Sequence, residues 1–268
     1  MREWKRALVT GASEGIGEAF ARELAARGTD LVVVARRREV LKRLGEELEA
    51  AHGVAVEAVA ADLTDEPDLA RIEGRLEAAE RPVDLLVNNA GGASQHRPFL
   101  RLDRELLARD AYLNAIALLR LTHAAAQAMA GRGGGSILNV SAGVAFYPLP
   151  GAASYGASKA FVNSLSEALD HELRESGVRV TAVCPGFTRT RAQRRLGLNV
   201  ERVPAPLWME PREVARTALR AAARGRPISN LSAIGALNAF AGRHLPHRVW
   251  VPLVARSQAR LAEGALRE

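Results

Sequence analysis

The sequence predicts an α/β fold: a doubly wound parallel β-sheet with helices on both faces, in a single domain. Three observations carry this. Short β-branched runs alternate with longer amphipathic stretches, the pattern of repeated βαβ units with right-handed crossovers. The second run, residues 31–35 (LVVVA), is apolar throughout, as a strand covered on both faces has to be. The first run passes directly into a glycine-rich turn, Thr10-Gly11-Ala12-Ser13-Glu14-Gly15-Ile16-Gly17, ahead of a helical segment.

The elements follow in order. Residues 6–10 form the first strand and 16–27 the first helix. Residues 38–52 are helical because Val40, Leu41, Leu44 and Leu48 fall on one face. A third strand covers 54–60. The helix 66–79 is announced by Pro67 and Asp68 in its first turn. Residues 85–88 are a fourth strand, and 103–130 a long helix ended by Gly131-Arg132-Gly133-Gly134-Gly135. Strand 136–140, helix 154–175 and strand 178–184 complete the alternation. Residues 1–190 are therefore read as one α/β core. Residues 188–209 carry Pro204 and Pro206 and no clear period, which suggests a mobile loop over a site. Helix returns at 211–224. Residues 191–226 belong to the same domain, and 227–268 form an apolar and basic extension. That tail is read as a packing helix or oligomer contact, ahead of a substrate lid and, last, a membrane-surface segment on anionic lipid.

Composition bounds the function. With 268 residues, 48% hydrophobic and 25% charged, the chain builds a sizeable core. The net charge is +7, almost all of it arginine, since Lys occurs only at Lys5, Lys42 and Lys159. No basic patch is interleaved with aromatic residues, so nucleic acid is not the expected partner. The surplus reads as a solvated surface, part of it serving cofactor phosphates. Cys184 is the single cysteine; it precludes an internal disulfide and, in an apolar run, reads as a small buried hydrophobe. His244 and His247 make only a weak pair, and no metal is expected. The N-terminus lacks the apolar length of a signal peptide and no stretch approaches a membrane span, so a cytoplasmic location is expected.

The glycine turn is a phosphate cradle. Glycine lets backbone N–H groups approach phosphate oxygens, and the following helix presents its N-terminus to a pyrophosphate. Gly11, Ser13, Gly15, Ile16 and Gly17 are the residues expected there. At the end of the second strand an acidic side chain would hold free ribose hydroxyls; here Ala35 is followed by Arg36 and Arg37. Guanidinium binds a 2′-phosphate bidentately, so NADP(H) is favoured over NAD(H), with Ser13 adding a hydroxyl and Glu14 opposing.

Tyr155-Gly156-Ala157-Ser158-Lys159 places a phenol and an amine on one helical face. A neighbouring ammonium is expected to lower the phenol pKa. Tyr155 then gives a proton to a carbonyl oxygen, or takes one from an alcohol, as hydride moves.

Together these residues resemble the classical short-chain dehydrogenase/reductase family over about 5–190. The resemblance rests on TGASEGIG at 10–17, Asp62, Asn88-Asn89-Ala90-Gly91, Asn114, YGASK at 155–159, and Pro185-Gly186 with Thr188 and Thr190. It implies a Rossmann fold and a set of roles. Asp62, with the backbone of Leu63 beside it, accepts from the adenine amino group. Asn88 to Gly91 line the adenosine side and steady the sheet centre. Asn114 holds a water in a proton relay with Lys159, which also bonds the nicotinamide ribose. Thr188 and Thr190 contact the carboxamide. It also implies a homo-oligomer, dimer or tetramer. One position departs. The family's serine, thirteen residues before the tyrosine, is Ala142 here. Ser141 is the candidate replacement, although strand neighbours point to opposite faces, and Ser154 comes second.

The expected activity is interconversion of a hydrophobic ketone or aldehyde and its alcohol, with a substrate pocket around Phe146, Tyr147, Leu149, Phe187 and Trp208. The alternative, fed by Ala142, is a dinucleotide-binding regulatory or scaffold protein of the same fold.

Overall fold

The computed structural model describes residues 4–95, 98–191 and 203–261. Among these, seven strands form one sheet in the order β3-β2-β1-β4-β5-β6-β7, parallel at every pairing. They are β1 (Arg6–Thr10), β2 (Asp30–Ala35), β3 (Val56–Ala60), β4 (Leu85–Asn88), β5 (Gly135–Val140), β6 (Val178–Cys184) and β7 (Ile228–Asn230). The order reverses between β1 and β4, so the carboxyl ends of these two strands open the crevice where open α/β sheets bind ligands.

Alternation along the strands divides the core into two layers. Val9, Val33 and Val87 pack on one face with Phe20 and Leu24 of α1 (Gly15–Ala25), Leu41, Leu44 and Leu48 of α2 (Arg38–His52), and Val214 and Leu219 of α7 (Pro211–Ala223). Leu8, Val32, Val34 and Leu86 pack on the other with Leu69, Ile72 and Leu76 of α3 (Glu66–Glu77) and Leu121 of α5 (Leu118–Ala130). Phe20 and Leu8 are wholly buried, and burial of such side chains contributes about 1.5–3 kcal/mol each.

The long helix expected over 103–130 is interrupted. Helix α4 (Arg104–Ala111), capped by Asp103, runs into a π-helical segment, Tyr112–Ala117, before α5. The cause is Asn114: its side-chain amide donates to the carbonyl of Asp110, four residues back, at 2.7 Å, displacing the usual backbone ladder. Helix α6 (Ala153–Glu172) carries Tyr155 and Lys159.

Beyond residue 226 the chain adds β7, not foreseen in the sequence, then α8 (Ala233–His244) and α9 (His247–Leu261). Gly242 lets α8 lie against Phe146, where a Cβ would meet the Phe146 carbonyl at 2.5 Å. Val254 and Trp250 of α9 pack against Leu149, Ala152 and Tyr155. The tail is thus built onto the body of the protein. Among the described residues no helix is long and apolar enough to cross a membrane. Half of the expected loop over the site, residues 192–202, lies outside the described residues.

Candidate active site

A cleft of about 1990 Å³ runs across the carboxyl ends of the strands. It exceeds the 300–1,000 Å³ of typical small-molecule pockets and so has room for a dinucleotide and a second molecule.

The cofactor end is built by the glycine turn. Gly11 and Gly15 have φ of +66° and +60°, the left-handed region glycine tolerates at little cost. Gly17 sits one turn into α1, where a Cβ would meet the Gly11 carbonyl oxygen at 2.2 Å. Thr10 and Asn89 tie the turn to β4. The Thr10 hydroxyl donates to Val87 O and accepts from the N–H groups of Asn89 and Ala90. The Asn89 amide donates to Thr10 O at 2.9 Å. Asn89, expected with its NNAG neighbours on the adenosine side, lines the cleft and also serves as a framework residue.

Gly11, Ser13, Gly15, Ile16, Arg36, Arg37, Asp62, Leu63, Ala90, Gly91, Pro185, Gly186, Thr188 and Thr190 all line the cleft. Arg37 reaches across from β2 and donates to Ser13 Oγ at 3.1 Å and to Glu14 Oε2 at 2.9 Å. Glu14, expected to oppose a phosphate, is thus engaged by Arg37. The loop after β6 folds back over the turn, bringing the Thr190 methyl beside Gly15. The Asp62 carboxylate accepts from Thr64 and Arg109. Burial raises its pKa, but the Thr64 hydrogen bonds and the charges of Arg109 and Arg36 outweigh this and hold it below the usual carboxylate range.

Two expected cofactor residues do not line the cleft. Asn88, at the end of β4, is buried and donates to Thr122 Oγ1 and Asn139 Oδ1, both at 3.0 Å. It braces the sheet centre. Gly17 serves the turn by close packing alone.

At the chemical centre, Lys159 is buried and its ammonium donates to Val140 O at 2.9 Å, 5.7 Å from the Tyr155 ring centroid. Burial pushes the Tyr155 phenol up to about 12 and the Lys159 ammonium down to about 8. This reverses the expected lowering of the phenol: desolvation dominates at both groups, and the neighbouring Cys184 adds to the rise at Tyr155. At neutral pH Tyr155 holds its proton. Cys184 is buried and its thiol is likewise pushed up by burial, to about 11, so it is not a ready nucleophile.

Asn114 does not line the cleft. It is buried under the NNAG loop, accepting from Gly92 N–H at 2.9 Å and donating to Gly92 O at 2.6 Å. Gly91 lies between it and the lysine: a Cβ there would meet Asn114 Oδ1 at 2.5 Å and Lys159 Nζ at 3.6 Å. Ser141 borders the cleft but donates its hydroxyl to Lys159 O at 3.0 Å. Its proton is spent on the α6 backbone, as the opposite-face argument anticipates. Ser154 is not among the lining residues, and Ala142 lines the cleft without a hydroxyl.

Of the expected substrate-pocket residues, Tyr147, Leu149 and Phe187 line the cleft. Phe146 lies under Arg243, and Trp208 stacks on Phe187 with its indole N–H on Val203 O, so neither reaches it. Trp250, Leu253, Val254 and Asn238, which complete this wall, were not expected from the sequence. Their signal was the tail's apolar pattern.

Residues 5–200 match the family model for short chain dehydrogenases. The chain belongs to the short-chain dehydrogenase family. Within it, the chain is 34% identical over 202 residues to human 17-beta-hydroxysteroid dehydrogenase type 3, covering 75% of this chain and 64% of that protein. It is 38% identical over 184 residues to sulfoacetaldehyde reductase 2 of Chromohalobacter salexigens, covering 68% and 72%. The chain therefore spans under two thirds of the hydroxysteroid dehydrogenase. Among solved structures, a short-chain dehydrogenase from Sphingobium yanoikuyae in complex with NADPH is 40% identical with a TM-score of 0.81, covering 88% of this chain and 92% of that one. A bulky-bulky ketone specific alcohol dehydrogenase from Comamonas testosteroni is 35% identical with a TM-score of 0.77, covering 96% and 92%.

Proposed function

We propose that this short-chain dehydrogenase is an NADP(H)-dependent oxidoreductase that interconverts a hydrophobic ketone or aldehyde and its alcohol, running as a reductase when supplied with NADPH. The observation that carries this reading is Tyr155: a half-buried, protonated phenol, one helical turn from Lys159, in the wall of a cleft whose far end holds Ser13, Arg36 and Arg37. The cradle fits a dinucleotide, because Gly11, Gly15 and Gly17 occupy positions a Cβ would strain or fill.

The nicotinamide, when bound, supplies or accepts the hydride. Tyr155 gives its proton to the carbonyl oxygen, and its high pKa keeps that proton in place until charge develops there. Lys159, held by Val140 O, steadies the resulting phenolate and bonds the ribose. Ser141 positions Lys159 through its backbone. Asn114 fixes the loop carrying Gly91 and Gly92. Arg36, Arg37 and Ser13 hold the 2′-phosphate. Support for NADP(H) comes from these donors, from Ala35 where an acid would favour NAD(H), and from the NADPH complex of the Sphingobium neighbour. The bulky-ketone specificity of the Comamonas neighbour and the steroid specificity of the human relative support a large apolar substrate. We also propose a homo-oligomer, supported by the exposed Ile116, Leu119 and Phe161 and checked by light scattering.

The test is NADPH consumption over a panel of bulky ketones, with Tyr155→Phe as control. Loss of the proton donor lowers kcat about 10²–10⁴-fold and leaves NADPH binding within twofold. Consumption by wild type that persists at full rate in Tyr155→Phe would remove the tyrosine from the chemistry. No consumption with any ketone favours the non-catalytic alternative that Ala142 suggests.

A further inference from the structure

The polar groups at the substrate end of the cleft are unbalanced in one direction. Residues 214–262 hold eight of the chain's 37 basic residues and none of its 30 acidic ones, so the net charge of +7 is accounted for by this stretch. Arg256 of α9 brings its donors to the cleft: it lines the cavity and is exposed, with no carboxylate partner among the described residues. Trp250 lines the same wall, with its indole N–H buried.

The carboxylates that line the cleft do not balance these donors. Glu14 is engaged by Arg37, Asp62 by Arg109 and Asp110 by Ser94, and all three come from the N-terminal half of the chain. Beside the donors the wall is apolar: Leu149, Leu253 and Val254. An apolar channel rimmed by an uncommitted guanidinium suits an amphipathic molecule with an oxyanion at one end, because guanidinium presents paired N–H groups that match a carboxylate or phosphate.

We propose that the substrate carries an oxyanion, a carboxylate or phosphate, at the end away from the reacting carbonyl, and that Arg256 receives it. This rests on the reading that the cleft's Tyr155 end is where the carbonyl reacts, so the test is a binding measurement that needs no turnover. Octanoate, octyl phosphate and methyl octanoate are titrated calorimetrically into the full-length protein saturated with NADP⁺.

The two anions bind about tenfold more tightly than the ester, the gain expected of one charge-assisted hydrogen bond at a partly exposed site. Arg256→Gln removes that preference, Arg256→Lys keeps part of it, and ester binding stays within twofold in both. Arg248→Gln, exposed on the same helix and outside the cleft, leaves all three ligands unchanged. Equal binding of anion and ester by wild type overturns the inference, as does an Arg256→Gln variant that weakens all three alike. If the anion preference is present and no ketone is reduced, the oxidoreductase reading falls and the anion site stands. If ketones are reduced without any anion preference, the anion site falls and the oxidoreductase reading stands.

Discussion

The two ends of the cleft are built on different terms. At the cofactor end most polar groups satisfy one another, Asn88 Oδ1 being a buried exception among the described residues. Thr10 and Asn89 tie the glycine turn to β4, Arg37 bridges Ser13 and Glu14, and Asp62 is shared by Thr64 and Arg109. At the substrate end, the wall is hung on a three-residue strand and two following helices. It keeps a donor without an acceptor among the described residues and leaves Leu237, Phe240, Val249 and Leu253 exposed. A preformed frame binds the part common to many reactions, while a lightly tethered wall is free to vary with the substrate.

The comparison is broken most forcefully at Gly17. In Gly17→Ala the added methyl meets Gly11 O at 2.2 Å and Asn89 Nδ2 at 2.5 Å, both part of a fixed frame. The expected loss is about 3 kcal/mol or more of stability, together with NADPH binding, read by thermal unfolding and fluorescence titration. Gly45→Ala serves as control, because its methyl makes only ordinary contact with Val56 at 3.4 Å. If Gly17→Ala unfolds no earlier than Gly45→Ala, the cofactor end is not the rigid frame described.

Next is Ala142→Ser, which lies where the frame meets the substrate wall. Ser141 gives its hydroxyl to Lys159 O, so a serine at 142 adds a second hydroxyl donor beside that of Tyr155. Restoring one oxyanion donor raises kcat by up to about 10²-fold for a carbonyl substrate. Steady-state kinetics showing no gain would mean that another group already binds that oxygen.

The smallest effect belongs to Arg37→Gln. It removes one charged donor beside Ser13 and releases Glu14, weakening NADPH by about tenfold, near the value of one charge-assisted hydrogen bond, and leaving NADH unchanged. Equal loss of both cofactors would mean that Arg37 holds the turn and does not read the phosphate.

Legibility in the sequence divides along the same line. Helix α2 could be drawn because Val40, Leu41, Leu44 and Leu48 repeat at helical spacing; Gly53 closes it as a left-handed cap. Strand β2 could be drawn because a doubly buried strand is apolar at every position. Strand β7 could not: Ile228-Ser229-Asn230 has no pattern, and its state is set by pairing with Ala182–Cys184 of β6. The π-segment was hidden for the same reason, since it comes from one side-chain amide competing with the backbone. Motif letters located the site but did not separate contact from support. Asn88 and Gly17 hold the frame, and Trp250 has no motif at all. The pKa of Tyr155 was misjudged because adjacency to a lysine is visible in a sequence and burial is not.

The central claim, that this cleft moves a hydride to a carbonyl with Tyr155 as the proton donor, is tested most directly by isotope transfer. Wild type and Tyr155→Phe are each incubated with a bulky ketone and NADPH deuterated at C4, in the R and S forms separately. Wild type is expected to place deuterium on the carbinol carbon from one of the two forms, and Tyr155→Phe to yield about 10²-fold less product or lower still in the same time. Product free of deuterium from both forms, or equal labelled product from the phenylalanine variant, would contradict the account.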